Sequence, residues 1–148
     1  MANDRSAILD PTLGGLNATL GIRLVSATRD EVVIEYDVDD RHRQPYGIVH
    51  GGTHCAAVET ACSTGAGIDA MAHGRWVVGV ENHTSFIHAV RSGRVRVTAT
   101  PITRGRRSQM WEATSRDEHG RIVATGRVRL LCLEAGSDLA GEPVGTTK

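Results

Sequence analysis

The sequence is poor in aromatic rings, with two tryptophans, two tyrosines and one phenylalanine, and Lys148 is its only lysine. No ring is interleaved among the arginines from Arg91 to Arg107, so a platform for stacking nucleic-acid bases is missing. Net charge is lacking too. Seventeen Lys and Arg balance seventeen Asp and Glu, which removes any overall electrostatic bias toward nucleic acid or an anionic membrane. Cys55, Cys62 and Cys132 are an odd set without paired spacing, which argues against a disulfide framework and fits a reducing compartment. No stretch approaches the length of a membrane span. The opening MANDRSAILD carries charges where a secretory signal needs an apolar core. The expectation is a cytoplasmic protein without a membrane partner. Internal repeats and low-complexity tracts are absent, and the length of 148 residues fits one domain.

Hydrophobic periodicity supplies the fold class. Residues 20–27 and 31–38 read as strands; in the second, EVVIEYDV, Ile34, Tyr36 and Val38 share one face and Glu35 and Asp37 the other. A polar connection, 39–47, follows. From His50-Gly51-Gly52 to about Ala72 small residues occupy nearly every position without alternation, which predicts a helix covered on most sides. WVVGVENHTSFIHAV, RVRVTAT, SQMWEATS and RIVATGRVRLLCL then read as four strands arranged as a meander. Two strands, one long helix and four strands predict an α+β domain, an antiparallel sheet curled around a central helix. Its core spans about residues 15–133, and 134–148, rich in glycine and polar residues, reads as a loose tail.

Glu59 is the one carboxylate between Gly51 and Ile68. Buried and ionised, it needs a partner, a proton or a cavity, and one of the sixteen arginines is a structural candidate. The helix start at Gly51 offers unpaired N–H groups and the positive end of the helix dipole, the parts of an oxyanion hole, although the two glycines also suit a plain tight turn. Gly51 and Glu59 are separated by eight residues, about 12 Å along a helix. They cannot both act on one carbonyl within one chain, and a two-fold dimer with composite sites resolves this. Ser63, at i+4, shares a helix face with Glu59. His50, His54 and Cys55 raise a metal site, but the H-E-x-x-H arrangement is absent. Cys55 as a nucleophile competes with simple packing.

Arg91, Arg94, Arg96, Arg104, Arg106 and Arg107 fall in a stretch without Asp or Glu. They read as a basic stripe suited to a phosphorylated small molecule, or as a solvated strand face.

The segments RHRQPYGIVHGGTHCAAVETACSTGAG, VVGVENHTSF and GRVRVTATPITRGRRSQMWEA resemble the hotdog-fold acyl-CoA thioesterases of the PaaI-like group, closest to the menaquinone- and enterobactin-pathway enzymes. The resemblance implies the hotdog fold and hydrolysis of an aryl- or acyl-CoA, or of an acyl-carrier thioester, with coenzyme A entering as part of the substrate and no separate cofactor or metal. It implies that Gly51 polarises the thioester carbonyl and that Glu59 of a second subunit attacks or deprotonates water. Gln44 and His50 would orient the thioester, and Ser63 would place the water or Glu59. Arg107, with Arg106 and Arg94, would hold the CoA phosphates, in a homodimer that pairs into a dimer of dimers. Where related enzymes often carry a histidine in the third strand, this chain has Phe86, which implies an apolar or aromatic acyl pocket. Two rivals are weighed. An enoyl-CoA hydratase would need an Asp-x-Asn-Pro-x-His motif that is absent, and a non-catalytic acyl-CoA-binding module would not need Glu59.

Overall fold

The computed structural model describes residues 13–145; the charged stretch MANDRSAILD lies outside them. A short helix, α1 (Gly15–Thr19), leads into β1 (Arg23–Ala27) and β2 (Val32–Asp37), and a 3-10 turn at Asp40–His42 precedes the long helix α2 (Gly51–Ala72). The remaining main strands are β3 (Arg75–Phe86), β4 (Arg94–Arg104), β5 (Ser108–Arg116) and β6 (Ile122–Glu134). All six strands form one antiparallel sheet in the order β1-β2-β4-β5-β6-β3. The α+β hotdog architecture expected from the sequence is the one observed.

One connection differs. The last four strands do not run as a meander, because β3 pairs with β6 and leaves the edge of β4 to β2. The cause lies at the end of α2, where the chain reverses at His73 and Gly74, the latter at φ 69°. So short a turn sends β3 straight back along the helix, on the side away from β2. The sheet then closes around α2 from both flanks, with β1 and β3 as its edges.

The first turn of α2 is capped by His50, whose Nδ1 accepts the Gly52 N–H at 2.8 Å. The body of the helix is held by burial rather than by a polar outer face. Ala57, Val58, Ala61, Cys62 and Ala66 are fully buried, under Ile34, Tyr36, Val95, Val97, Trp111, Val128 and Leu130 from the sheet. Small residues set how close the sheet comes. A β-carbon on Gly65 would sit 2.4 Å from the Trp111 ring, and one on Gly126 would sit 2.7 Å from Val58. Trp111 reaches this depth because its Nε1–H donates to Gln109 Oε1 at 2.8 Å, while Gln109 Nε2 donates to Asp69 Oδ2 at 3.2 Å. Asp69 in turn pairs with Arg29 at 2.8 Å.

After β6, which runs to Glu134, the described part of the segment read as a loose tail, up to residue 145, forms a small hairpin, β7 (Asp138–Leu139) with β8 (Glu142–Pro143). Gly145 follows it and packs against the Trp76 ring, so close that a β-carbon there would sit 2.5 Å from the ring. No helix among the described residues is long and apolar enough to cross a membrane.

The Gly65 contact is testable. Because Trp111 is fully buried and hydrogen-bonded, it has no free volume to retreat into. Gly65→Ala should therefore destabilise the chain by about 1–3 kcal/mol despite its gain in helix propensity, read as a lower denaturation midpoint in urea. An unchanged or raised midpoint would show that the helix can shift away from the sheet.

Candidate active site

Glu59 lies in the groove between α2 and the free edge strand β3, partly buried. Ser63 Oγ donates to its Oε1 at 3.1 Å, and Asn82 Nδ2 donates to its Oε2 at 2.9 Å. Thr84 Oγ1 donates to Asn82 Oδ1 at 2.6 Å. The carboxylate also fills space that only glycine leaves open, since a β-carbon on Gly79 would come within 2.3 Å of Oε1. Among the described residues no arginine makes an ion pair with Glu59. The other acid of this helix, Asp69 near its end, does take arginine, pairing with Arg29 at 2.8 Å. Glu59 is thus held as an acceptor by two neutral donors, one from the helix and one from β3.

The strand that supplies this cradle is irregular. Gly79 opposes Leu130 and Glu81 opposes Arg129, so Val80 is an extra residue and β3 carries a bulge there. In an unbroken strand, residues of opposite parity face opposite ways. The bulge shifts the parity and lets Asn82, Thr84 and Phe86 share the helix-facing side with Val77 and Gly79. Asn82 and Thr84 were not expected from the sequence. Its single hint is the polar ENHTS run at 81–85 between two apolar stretches, and period-two alternation cannot aim Gly79 and Asn82 at the same helix.

The start of α2 makes the second half of the site. Gly51 N–H has no acceptor among the described residues, whereas Gly52 N–H is taken by His50 Nδ1. Beside it opens a cleft of about 290 Å³ lined by Gln44, Gly51, His54, Phe86 and His88. Gln44 Oε1 accepts the Tyr46 N–H, which leaves its Nε2 as the donor end of the amide. Phe86 lies over Gly51, where a β-carbon would be 2.5 Å from the ring, and stacks on His54 with centroids 5.9 Å apart. His54 is buried, and burial pushes its pKa down to about 4. It lies in the cleft wall as a neutral ring.

Within one chain these two halves do not meet. Gly51 sits beside Phe86, and Glu59 beside Gly79 and Asn82, roughly 13–23 Å apart along the strand at 3.3 Å per residue. The structure brings Glu59 and Ser63 together, and Gln44, His50, Gly51 and Phe86 together, as two separate groups. The arginines divide as well. Arg94, at the start of β4, is bound by Asp37 at 2.8 Å and by Glu35 at 3.4 Å; Arg96 is bound by Glu35 at 3.1 Å, and Arg104 by Asp30 at 2.7 Å. The Arg94 hydrogen bond holds the Asp37 carboxyl below its ordinary value. Arg106 and Arg107, in the β4–β5 turn, are exposed. Arg106 touches Glu134 only at 4.0 Å, and Arg107 makes no ion pair among the described residues. Arg94 lies at the opposite end of β4 from that turn, about 33 Å along the strand, so the three do not form one phosphate site within a chain. Ser108 and Val78 both oppose Leu131 of β6, which puts the Arg106–Arg107 turn at the same end of the sheet as Gly79.

A curled antiparallel sheet around one central helix is the hotdog architecture. The model of the Thioesterase superfamily matches residues 46–124, and the chain belongs to that family. It is 39% identical over 125 residues to the proofreading thioesterase EntH of Cronobacter turicensis, covering 79% of this chain and 90% of that one. Among solved structures it is similar to a thioesterase of Haemophilus influenzae, with TM-score 0.77 and 31% identity over 82% of this chain and 84% of that one. It is also similar to AziG of S. sahachiroi, with TM-score 0.79 and 38% identity over 82% and 98%. The chain is a thioester hydrolase, which removes the non-catalytic binding module as a reading.

The buried His54 has a consequence for stability. Its folded pKa is depressed to about 4, so the unfolded chain binds a proton that the folded chain refuses. The stabilisation is complete above the unfolded value near 6.5 and is lost as pH falls toward 4. From pH 7 to pH 5 His54 should remove about 2 kcal/mol of folding free energy. His54→Leu should flatten that part of the pH dependence in urea titrations; an equal slope in both proteins would mean that His54 titrates normally.

Proposed function

We propose that the chain hydrolyses acyl-CoA thioesters at two sites shared between two copies of itself. In each site Gly51 N–H at the start of one helix α2 receives the carbonyl oxygen, and Glu59 of the other copy drives the attack. One observation carries this reading. An N–H without an acceptor and a carboxylate without a counter-ion among the described residues lie along one groove, too far apart to serve one carbonyl, beside the edge strand β3, exposed from Gly79 to Phe86 apart from Thr84. An exposed edge strand invites pairing with another chain. An antiparallel, two-fold pairing of two β3 edges that sets Phe86 of one copy against residues 79–82 of the other has its axis near His83. It brings the two half-sites together twice.

The chemistry then follows the geometry. Water held beside Glu59 and the Ser63 hydroxyl gives its proton to the carboxylate as its oxygen attacks the carbonyl carbon. The tetrahedral oxyanion is stabilised by Gly51 N–H and the helix dipole. Collapse expels the thiolate, which recovers the proton from Glu59. Gln44, through Nε2, and His50, which caps the same turn, orient the thioester. In the other route from this arrangement Glu59 attacks the carbonyl itself and water cleaves the resulting anhydride. Phe86 and His54 form an apolar, aromatic wall suited to an apolar or aryl acyl group. Arg106 and Arg107 are the cations available to the CoA phosphates, and Arg94, neutralised by Asp37 and Glu35, is not. A pairing of two dimers remains part of the proposal.

Glu59→Gln is expected to keep the fold and acyl-CoA binding while turnover falls on the order of 10²–10⁴-fold, read as thiol release from a panel of aryl- and fatty-acyl-CoAs. Near-normal release would exclude the role given to Glu59. In a single turnover in heavy-oxygen water, label trapped in the Glu59 side chain marks the anhydride route, and label in the product alone marks the general-base route. Arg107→Ala should raise KM for acyl-CoA by about tenfold while leaving a short thioester without the nucleotide unaffected. Equal effects on both would remove Arg107 from phosphate binding.

A further inference from the structure

We propose that Asn82, backed by Thr84, is the positioning residue for the Glu59 carboxylate during thioester hydrolysis; the proposal rests on the reading of Glu59 as the reacting group. Asn82 is exposed, a setting in which an amide ordinarily samples solvent. Here its hydrogen-bonding capacity is largely committed. Nδ2 donates to Glu59 Oε2 at 2.9 Å and to the Cys55 carbonyl at 3.1 Å, and Oδ1 accepts from Thr84 Oγ1 at 2.6 Å. The orientation is forced by chemistry. An ionised carboxylate and a backbone carbonyl are acceptors only, so a flipped amide would turn Oδ1 toward two acceptors.

Two bonds from one amide do different things. The bond to Cys55 ties the backbone of the helix turn preceding Glu59 to β3, and the bond to Oε2 fixes the carboxylate on that turn. Ser63 restrains Oε1 from the helix side, so one oxygen is tied to the helix and the other to the strand. The carboxylate plane is then set relative to the strand edge along which the proposed partner lies. Thr84 has its own support. A β-carbon on Gly126 would lie 2.6 Å from Thr84 Oγ1, so the bare backbone of β6 leaves the hydroxyl room to point at Asn82. The bulge at Val80 is the element that puts both side chains on the helix side. Preorganisation of this kind acts on the chemical step, because a carboxylate that wanders by an ångström loses its line to the water or carbonyl.

The test separates hydrogen bonding from packing. Asn82→Asp keeps the shape but sets a carboxylate against Glu59, and kcat should fall on the order of a hundredfold while KM for acyl-CoA stays within about threefold. Thr84→Val keeps the volume and loses the hydroxyl, whereas Thr84→Ser keeps the hydroxyl and loses a methyl. The positioning role predicts that Thr84→Ser retains a kcat roughly tenfold above that of Thr84→Val. A packing role predicts the reverse order, which would overturn the proposal. If Asn82→Asp does not fold, the Thr84 pair decides alone. Glu59→Gln is assayed beside them. Turnover surviving in Glu59→Gln sinks the underlying reading, whereas an inactive Glu59→Gln with wild-type kcat in Asn82→Asp and Thr84→Val sinks the positioning role alone.

Discussion

The Trp111 ring lies within 2.4 Å of where Gly65 would carry a β-carbon, and the Glu59 carboxylate lies within 2.3 Å of the same point on Gly79. These two contacts express one constraint, the closeness with which helix and sheet approach each other. At the first, a glycine on the helix admits a large ring from the sheet; at the second, a glycine on the sheet admits a carboxylate from the helix. Dispersion and exclusion of water reward the first contact. The second holds a carboxyl group in a groove where no described arginine or lysine pairs with it. The rest of the architecture depends on that approach. Only a helix lined with small residues lets five strands, β2 to β6, pack against it, and β3 is the edge strand that lies alongside the helix start and the carboxylate.

Much of this was legible in the sequence because it is local. The small-residue run with its HGG start marks α2 at Gly51–Ala72, and alternation marks β2, β5 and β6 nearly to their ends, whereas β4 runs four residues past RVRVTAT to Arg104. The segments of the sequence are therefore good guides to elements, and poorer guides to neighbours. The meander failed on a partner choice. Which strand β4 pairs with is decided by where the turn after α2 sends β3, and that is a property of the closed sheet. The arginine stripe failed in the same way. Arg94 and Arg96 stand in a stretch without acids, yet the β2–β4 register places Glu35 opposite Arg96 and Asp37 opposite Arg94. Neutralising partners arrived from a distant segment. Arg106 and Arg107, in a turn, meet only Glu134 at the end of β6, 4.0 Å from Arg106.

The candidate site was legible in its groups but not in its supports. Glu59 stands out because it is alone among small residues, and Gly51 because glycine opens a helix there. Ser63 follows from helical spacing and is found at 3.1 Å from Glu59. Asn82 and Thr84 stayed hidden, since they reach the helix only through the bulge at Val80, and a bulge breaks the period-two rule on which strand reading rests. The His54–Phe86 contact joins residues far apart in sequence, one from each wall of the cleft.

In the proposed dimer the helix start and the carboxylate of one site come from different copies of the chain. Mixing two inactive variants tests it directly. Glu59→Gln keeps an intact helix start, and Gln44→Ala with Gly51→Val keeps an intact Glu59. Refolded together in equal amounts, they should form mixed dimers in which one of the two sites is whole. The account predicts recovery of about a quarter of wild-type turnover, because half the dimers are mixed and each carries one working site. A mixture as inactive as its two components would place both halves of the chemistry within a single chain and contradict the account.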